Sequence, residues 1–369
     1  MQVAEHQAAF VAVAVAALAF LVPSCSLTGA DEASPATPRT IVSIAGADFR
    51  LNGGVTHRGT RVEGMLLNSR MIQAVFDDEN PETVVRWRYP NTGRWSAERN
   101  TREFNAMLPR YAAAGLGAVT VGLQGGSPAE KDSFRGNHQR PVVSAFRADG
   151  TLKPAWGRRL DRVIRAAARS RLVVIVSFFY FGQDHRLRDE RAVLRAADAA
   201  TDLLLRGRYT NVLVEIANES DLFYEHEILS PDRVGELVRR VQQRSRGRLE
   251  VSTSFTSGRI PPNEIVRISD YVLVHGNARD AAGIARLVDD VRGRPAYEAG
   301  PKPIVFNEDS TSVEKLRAAV AAGASWGYYD QGANDYVSGY QSPPVNWRIN
   351  TASKREFFAE LRRLTRARG

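Results

Sequence analysis

From residue 41 onward the sequence alternates short runs rich in β-branched residues with longer amphipathic stretches, and this alternation restricts the chain to folds in which parallel strands are joined by helical crossovers. Eight runs have the strand character: 62–67, 117–122, 172–179, 211–217, 249–254, 270–275, 302–307 and 324–329. Between them the spacing predicts helices near 99–114, 155–170, 187–206, 231–245, 279–292, 312–322 and 353–366, with a short helical turn near 261–267. In the second of these, Leu160, Val163, Ile164 and Ala167 fall on one stripe, as expected of a helix packed on a sheet. Hydroxyl residues at Ser230 and at Ser310 to Ser312 mark two helix starts.

Eight such units in roughly 310 residues fit one closed (β/α)8 (TIM) barrel, an α/β fold that needs about 250 residues plus insertions. The open, doubly wound sheet is the competing architecture, but no glycine-rich dinucleotide loop follows an early strand. Residues 41–60 have the alternation and Asn-Gly turn of a β-hairpin, expected to plug the bottom of the barrel. Long insertions follow strands 1 (68–97), 2 (123–153) and 8 (330–352), and loops after strands line the active face of such barrels. They carry Trp87, Tyr89, Trp95, Tyr336, Tyr340 and Trp347, flat rings suited to stacking on sugars.

Ahead of the barrel, residues 8–22 form a fifteen-residue apolar run, short for a membrane span but right for the core of a secretory signal. Cys25, the only cysteine, follows in a setting like a bacterial lipoprotein cleavage box, so either a lipidated Cys25 or a plain signal peptide is expected, with 26–40 as a flexible linker. Residues 1–25 are thus the expected signal and 41–369 the expected catalytic domain of an extracytoplasmic protein, secreted or attached to a membrane by its lipid, with no disulfide and no thiol metal site. Its formal charge of +9 comes from arginines spread over helix faces, such as Arg158, Arg159, Arg162, Arg165 and Arg169, a pattern of solvated faces that does not call for a nucleic-acid partner.

The chemistry concentrates at two strand ends. The fourth strand runs into Glu215, Asn218 and Glu219, and the seventh into Asn307, Glu308 and Asp309. Glu219 and Glu308 are 89 residues apart (308 − 219), three βα units, which brings them toward each other across the barrel mouth. Paired carboxyl groups about 5–5.5 Å apart are what a retaining glycosidase requires, one ionised to attack the anomeric carbon and one protonated to assist departure.

On these motifs, residues 41–366 resemble a clan A glycoside hydrolase of the cellulase-like family 5 type, in which an Asn-Glu pair ends strand 4 and a Glu ends strand 7. The resemblance implies that Glu219 is the acid/base, Glu308 the nucleophile and Asn218 a donor to the sugar 2-hydroxyl. It also implies that His275 contacts substrate and that Trp326 floors the subsite beside the scissile bond. Glu215 completes the strand 4 pattern E-x-x-N-E. Two parts of the pattern are missing: strand 2 carries Thr120 in place of the usual Arg, and the His-x-Tyr of strand 6 is His275-Gly276-Asn277. Arg70, after strand 1, and Tyr328, on strand 8, are the substitutes expected. Gln183, at the end of strand 3, is a further candidate for the cleft wall.

The expected activity is hydrolysis of a glycosidic bond in a poly- or oligosaccharide with retention, with no cofactor. A non-catalytic glycan-binding barrel and a transglycosylase on the same site are the alternatives. No G-x-S-x-G elbow supports a serine hydrolase, and Asp184, His185 and Asp330 lack metal-ligand spacing, so no metal is expected.

Overall fold

The computed structural model describes residues 40–126, 138–330 and 335–366. The expected signal segment and nearly all of the linker lie outside the described residues.

The chain opens with an antiparallel meander, β1 (Val42–Ala45), β2 (Asp48–Leu51) and β3 (Gly54–Val55). The Asn-Gly pair joins β2 to β3, not β1 to β2: Asn52 and Gly53 both have positive φ, 53° and 82°, which suits a tight primed turn. Eight parallel strands follow: β4 (Asn68–Arg70), β5 (Ala118–Gly122), β6 (Val173–Tyr180), β7 (Val212–Asn218), β8 (Glu250–Ser252), β9 (Val272–His275), β10 (Ile304–Glu308) and β11 (Gly327–Tyr328). Six pair in the order β11-β4-β5-β6-β7-β8, and β9 pairs with β10. Short bridges complete the ring. Asp270 N donates to Val251 O at 3.0 Å between β8 and β9, and Ser325 bridges to Val305 between β10 and β11. The barrel expected from the sequence is therefore the barrel observed.

Helices α1 (Ala97–Ala113), α2 (Pro154–Arg169), α3 (Glu190–Arg206), α4 (Val234–Ser245), α5 (Asn263–Ile268), α6 (Ala281–Arg292), α7 (Pro295–Glu298), α8 (Val313–Ala321) and α9 (Ala352–Leu364) form the outer layer. Their apolar stripes are buried against the strands. Leu160, Val163, Ile164 and Ala167 of α2 have no exposed surface. Ser312 caps α8 by accepting from Lys315 N, whereas α4 starts at Val234 without a side-chain cap, so Ser230 does not serve as expected.

Two apolar layers result. The outer one lies between strands and helices, and the inner one fills the barrel with Leu66, Ala118, Val173, Ile175, Leu213, Tyr271, Leu273 and Val305. Phe49 belongs to the inner layer, and Val42, Ile44 and Leu51 pack on it, so the meander closes the barrel at the strands' N-terminal end. The first barrel strand is displaced from its expected place. Residues 61–64 form turns and the strand is the polar triplet Asn68-Ser69-Arg70, which puts Arg70 on a strand instead of in the following loop.

Candidate active site

β7, the fourth barrel strand, delivers Glu215 and Asn218 to the mouth, and the chain then turns left-handed at Glu219, whose φ is 51°. That backbone is costly for a residue with a Cβ, by about 1–2 kcal/mol. Hydrogen bonds from the next strand end hold it. Glu219 N donates to Ser254 Oγ (3.0 Å), Ser220 N donates to Ser254 O (2.9 Å), and Ser254 Oγ itself donates to Glu215 Oε1 (2.7 Å).

β10, the seventh barrel strand, contributes Asn307 and Glu308. Successive residues of a strand face opposite ways, yet both of these side chains reach the interior. The register between β10 and β9 slips between Phe306 and Glu308, so that Glu308 stands opposite His275, and this irregularity re-aims the strand end. Asn307 Nδ2 donates to Glu215 Oε1 at 3.0 Å, while Glu308 Oε2 meets Arg70 Nε at 2.7 Å.

Arg70 organises the floor of the site. Its guanidinium, 1% exposed, also donates from Nη2 to Asn218 Oδ1 (2.6 Å) and lies 3.6 Å from Glu215 Oε2. Burial opposes its charge, but Glu308 and Glu215 outweigh burial and hold it firmly cationic. Conversely, burial opposes the charge of Glu215, and Arg70, His275, Ser254 and Asn307 bring its carboxyl below the usual carboxylate range. Glu308 behaves differently. Burial, assisted by the neighbouring Glu219, lifts it above the ordinary value against the pull of Arg70, His275 and Asn277.

His275, at the end of β9, sits between the two carboxylates. Its Nδ1 is 2.9 Å from Glu219 Oε1 and 3.9 Å from Glu308 Oε2. Burial favours the neutral ring, but Glu308 and Glu219 prevail and raise its value. The ring has no exposed surface, so it acts on the carboxylates and not directly on a ligand in the mouth. Atoms of Glu219, His275 and Glu308 lie within 4.8 Å of one another, a spacing that would suit a metal ion. The Arg70 guanidinium against Glu308 already occupies the cation's role there, and its charge disfavours a second one.

Asn277 is the residue that sequence reasoning missed. It stands where the family pattern has a tyrosine, and its Nδ2 donates to Glu308 Oε1 at 2.9 Å. Lys315 fixes it by donating to the carbonyls of Gly276 and Asn277, each at 3.1 Å, and to Asp309 Oδ1 at 2.7 Å. Reading the amide as a substitute donor for the phenol would have found it. Tyr329 was missed as well, whereas Tyr180 lies in the strand 3 end that the sequence offers, with Gln183, as cleft wall. The Tyr329 ring centre is 6.0 Å from the Arg70 guanidinium carbon, and burial, with Tyr329 and both glutamates nearby, raises the Tyr180 phenol well above its ordinary value.

Several expected contacts are not made. Trp326 and Tyr328 face the helix layer: Trp326 packs near Phe357 of α9 and donates to Asp309 Oδ2 (2.6 Å), and Tyr328 stacks on Phe357 and donates to Ser353 Oγ. The strand's phase is opposite to the one assumed, and one residue of phase exchanges the two faces. Gln183 is saturated by loop contacts. It accepts from Val143 N and Arg186 Nε and donates to Pro141 O, so it pins the loop after β5 instead of meeting a sugar. Trp87 and Tyr89 are buried within their own loop, and Tyr340 and Trp347 against Tyr111 and Phe104 of α1, leaving Trp95 and Tyr336 as the partly exposed rings of the six.

The sequence matches no protein-family model and no curated protein. Solved structures do match in shape. A Bacteroides vulgatus protein assigned to the glycoside hydrolases aligns with a TM-score of 0.54 at 13% identity, over 89% of this chain and 62% of that one, so the chain spans less than two thirds of its length. A β-mannanase from the blue mussel Mytilus edulis aligns at 0.53 and 10% identity, over 88% and 96%. A family 5 glycoside hydrolase from Bacteroides vulgatus aligns at 0.51 and 13%, over 85% and 67%. These likenesses establish the (β/α)8 fold, the one these proteins share.

Proposed function

We propose that the chain is a retaining glycoside hydrolase, a distant relative of the cellulase-like family 5 type, acting on a poly- or oligosaccharide outside the cytoplasm. The observation that carries the proposal is the spacing of the carboxylates. Oxygens of Glu219 and Glu308 lie within 4.8 Å of each other, nearer to the 5–5.5 Å separation of retaining enzymes than to the 6.5–9.5 Å of inverting ones. Names of the structural neighbours, mannanases among them, point to the same chemistry.

In this proposal Glu308 attacks the anomeric carbon while Glu219 gives its proton to the departing oxygen, and a covalent glycosyl ester forms on Glu308. Water then attacks the ester as Glu219 takes back a proton. Arg70 and Asn277 each bind one oxygen of Glu308 and favour its ionised form. His275 engages Oε1 of Glu219, leaving Oε2 to carry the transferable proton. Asn218, its amide oxygen taken by Arg70, presents its nitrogen as a donor for the 2-hydroxyl. The apolar run at 8–22 and Cys25 supply export and, if the cysteine is lipidated, attachment.

Glu308→Gln is expected to abolish turnover on a polysaccharide panel with unchanged circular dichroism and melting. A 2-fluoro glycoside should label the wild type on the peptide carrying Glu308. Near-normal hydrolysis by the variant, or label on another residue, would overturn the assignment.

A further inference from the structure

The face of the barrel opposite the carboxylates carries a repeated arginine pattern. Because the strands are parallel, helix ends and strand starts gather on that face, and four of the turns there hold an Arg-x-Arg triplet: 169–171 after α2, 206–208 after α3, 246–248 after α4 and 292–294 after α6. Arg169, Arg171, Arg206, Arg208, Arg246, Arg248 and Arg292 are all exposed.

Helix polarity accounts for only part of this. A cation in the last turn complements the negative end of a helix, which explains Arg169, Arg206 and Arg292. It does not explain the arginines in the left-handed positions, Arg171 (φ 58°), Arg208 (φ 51°) and Arg246 (φ 54°). Glycine or asparagine is the less strained choice there. Ion pairing does not explain them either. Asp202 is bound by Arg244 at 2.7 Å and is 3.9 Å from Arg206, but among the described residues Arg169, Arg171, Arg208 and Arg246 meet no carboxylate.

The chain enters the barrel at this face. Thr40 Oγ1 donates to Ala168 O and Thr210 Oγ1 donates to Thr40 O, both at 2.7 Å, so the first described residue is stitched between the turns that carry Arg169 and Arg208. A concavity of 490 Å³ opens beside it, lined by Thr40, Arg165, Arg169, Arg206, Arg208 and Tyr209. Only seventeen residues (23–39) separate Thr40 from the apolar run at 8–22.

We propose that this arginine-bearing face docks on an anionic phospholipid bilayer, with the carboxylate mouth turned away from the lipid. The proposal does not depend on the hydrolase assignment, and its readout is separate from turnover. The lipid phosphates are the ligands, and binding is electrostatic, worth on the order of fivefold in affinity per arginine and weakened by salt.

The test is co-sedimentation of the full chain with phosphatidylcholine vesicles, with and without phosphatidylglycerol, at low and high salt. Comparison is with a variant carrying R169Q, R171Q, R206Q and R208Q, and with one carrying lysine at the same four positions. Any contribution of the apolar run is common to all three. Expected are preference for phosphatidylglycerol vesicles, loss of at least about tenfold in affinity in the glutamine variant, retention in the lysine variant, and melting within a few degrees of the parent in both, the glutamine variant losing the small helix-end contribution of Arg169 and Arg206. Equal binding to neutral and anionic vesicles, or glutamine and wild-type proteins binding alike, would overturn the proposal. So would capture of a soluble acidic polysaccharide without vesicle preference, which would make the face a glycan site.

Discussion

Arg70 and Asn277 divide between them the task of holding the proposed nucleophile, one oxygen each. Glu308 is lifted above the ordinary carboxylate value by burial, and hydrolysis needs it ionised, so activity should rise with pH through its titration. Asn277→Ala removes a donor that favours the ionised form and is expected to move the acid limb of kcat/KM upward by about one pH unit. Arg70→Gln should move it further and cost about 3 kcal/mol or more of stability, since Glu215 and Glu308 then lose the cation that faces them. A pH-rate profile in which Asn277→Ala leaves the acid limb in place would show that the amide does not act on Glu308. Neither residue was fully legible in the sequence. Arg70 was named as a substitute but given to a loop, because Asn68-Ser69-Arg70 has none of the apolar character by which buried strands are recognised. Its polarity is tolerated inside the barrel only because Glu308, Glu215 and Asn218 pair with it, which are partners far away in sequence.

At the scale of elements, every helix but the short α7 was legible to within about three residues at its ends, since each buries one stripe of its surface and exposes the rest. Strand phase was not, because β11 is buried on both faces and gives no alternation to read, and so Trp326 and Tyr328 were assigned to the wrong side. Gln183 was misjudged for a related reason: the backbone groups that saturate it come from the loop at 141–143, and nothing near it in sequence signals them. The last two helices are joined by an ion pair network. Glu360 of α9 meets Arg363 and also receives Arg317 of α8, at 2.9 and 3.2 Å. These contacts, Arg363 foremost, lower its carboxyl from 4.5 to about 2. Its stabilising contribution is thus complete above about 4.5 and lost as pH falls through about 2. Glu360→Gln is expected to cost about 1 kcal/mol at pH 7, a modest figure because both arginines are half exposed, with the deficit shrinking in urea melts taken toward pH 2.

At the scale of the molecule, the barrel has a closed end and a chemical end. The meander seals the former, and Phe49 is its principal plug, fully buried against Tyr271 with ring centres 6.3 Å apart. Phe49→Ala is expected to lower unfolding free energy by about 3–5 kcal/mol in denaturant titration, while KM stays near that of the parent because the carboxylates lie at the other end. An unchanged midpoint would mean that the meander is not part of the cooperative core. The left-handed turn at Glu219 sets the stability of the chemical end against its chemistry. At that one position the conformation best suited to holding the barrel together belongs to a glycine or an asparagine, while the proposed chemistry demands a glutamate. Directed evolution for heat resistance alone would therefore drift toward inactive proteins at position 219, and thermostable variants of this chain have to be sought with turnover as a second, simultaneous selection.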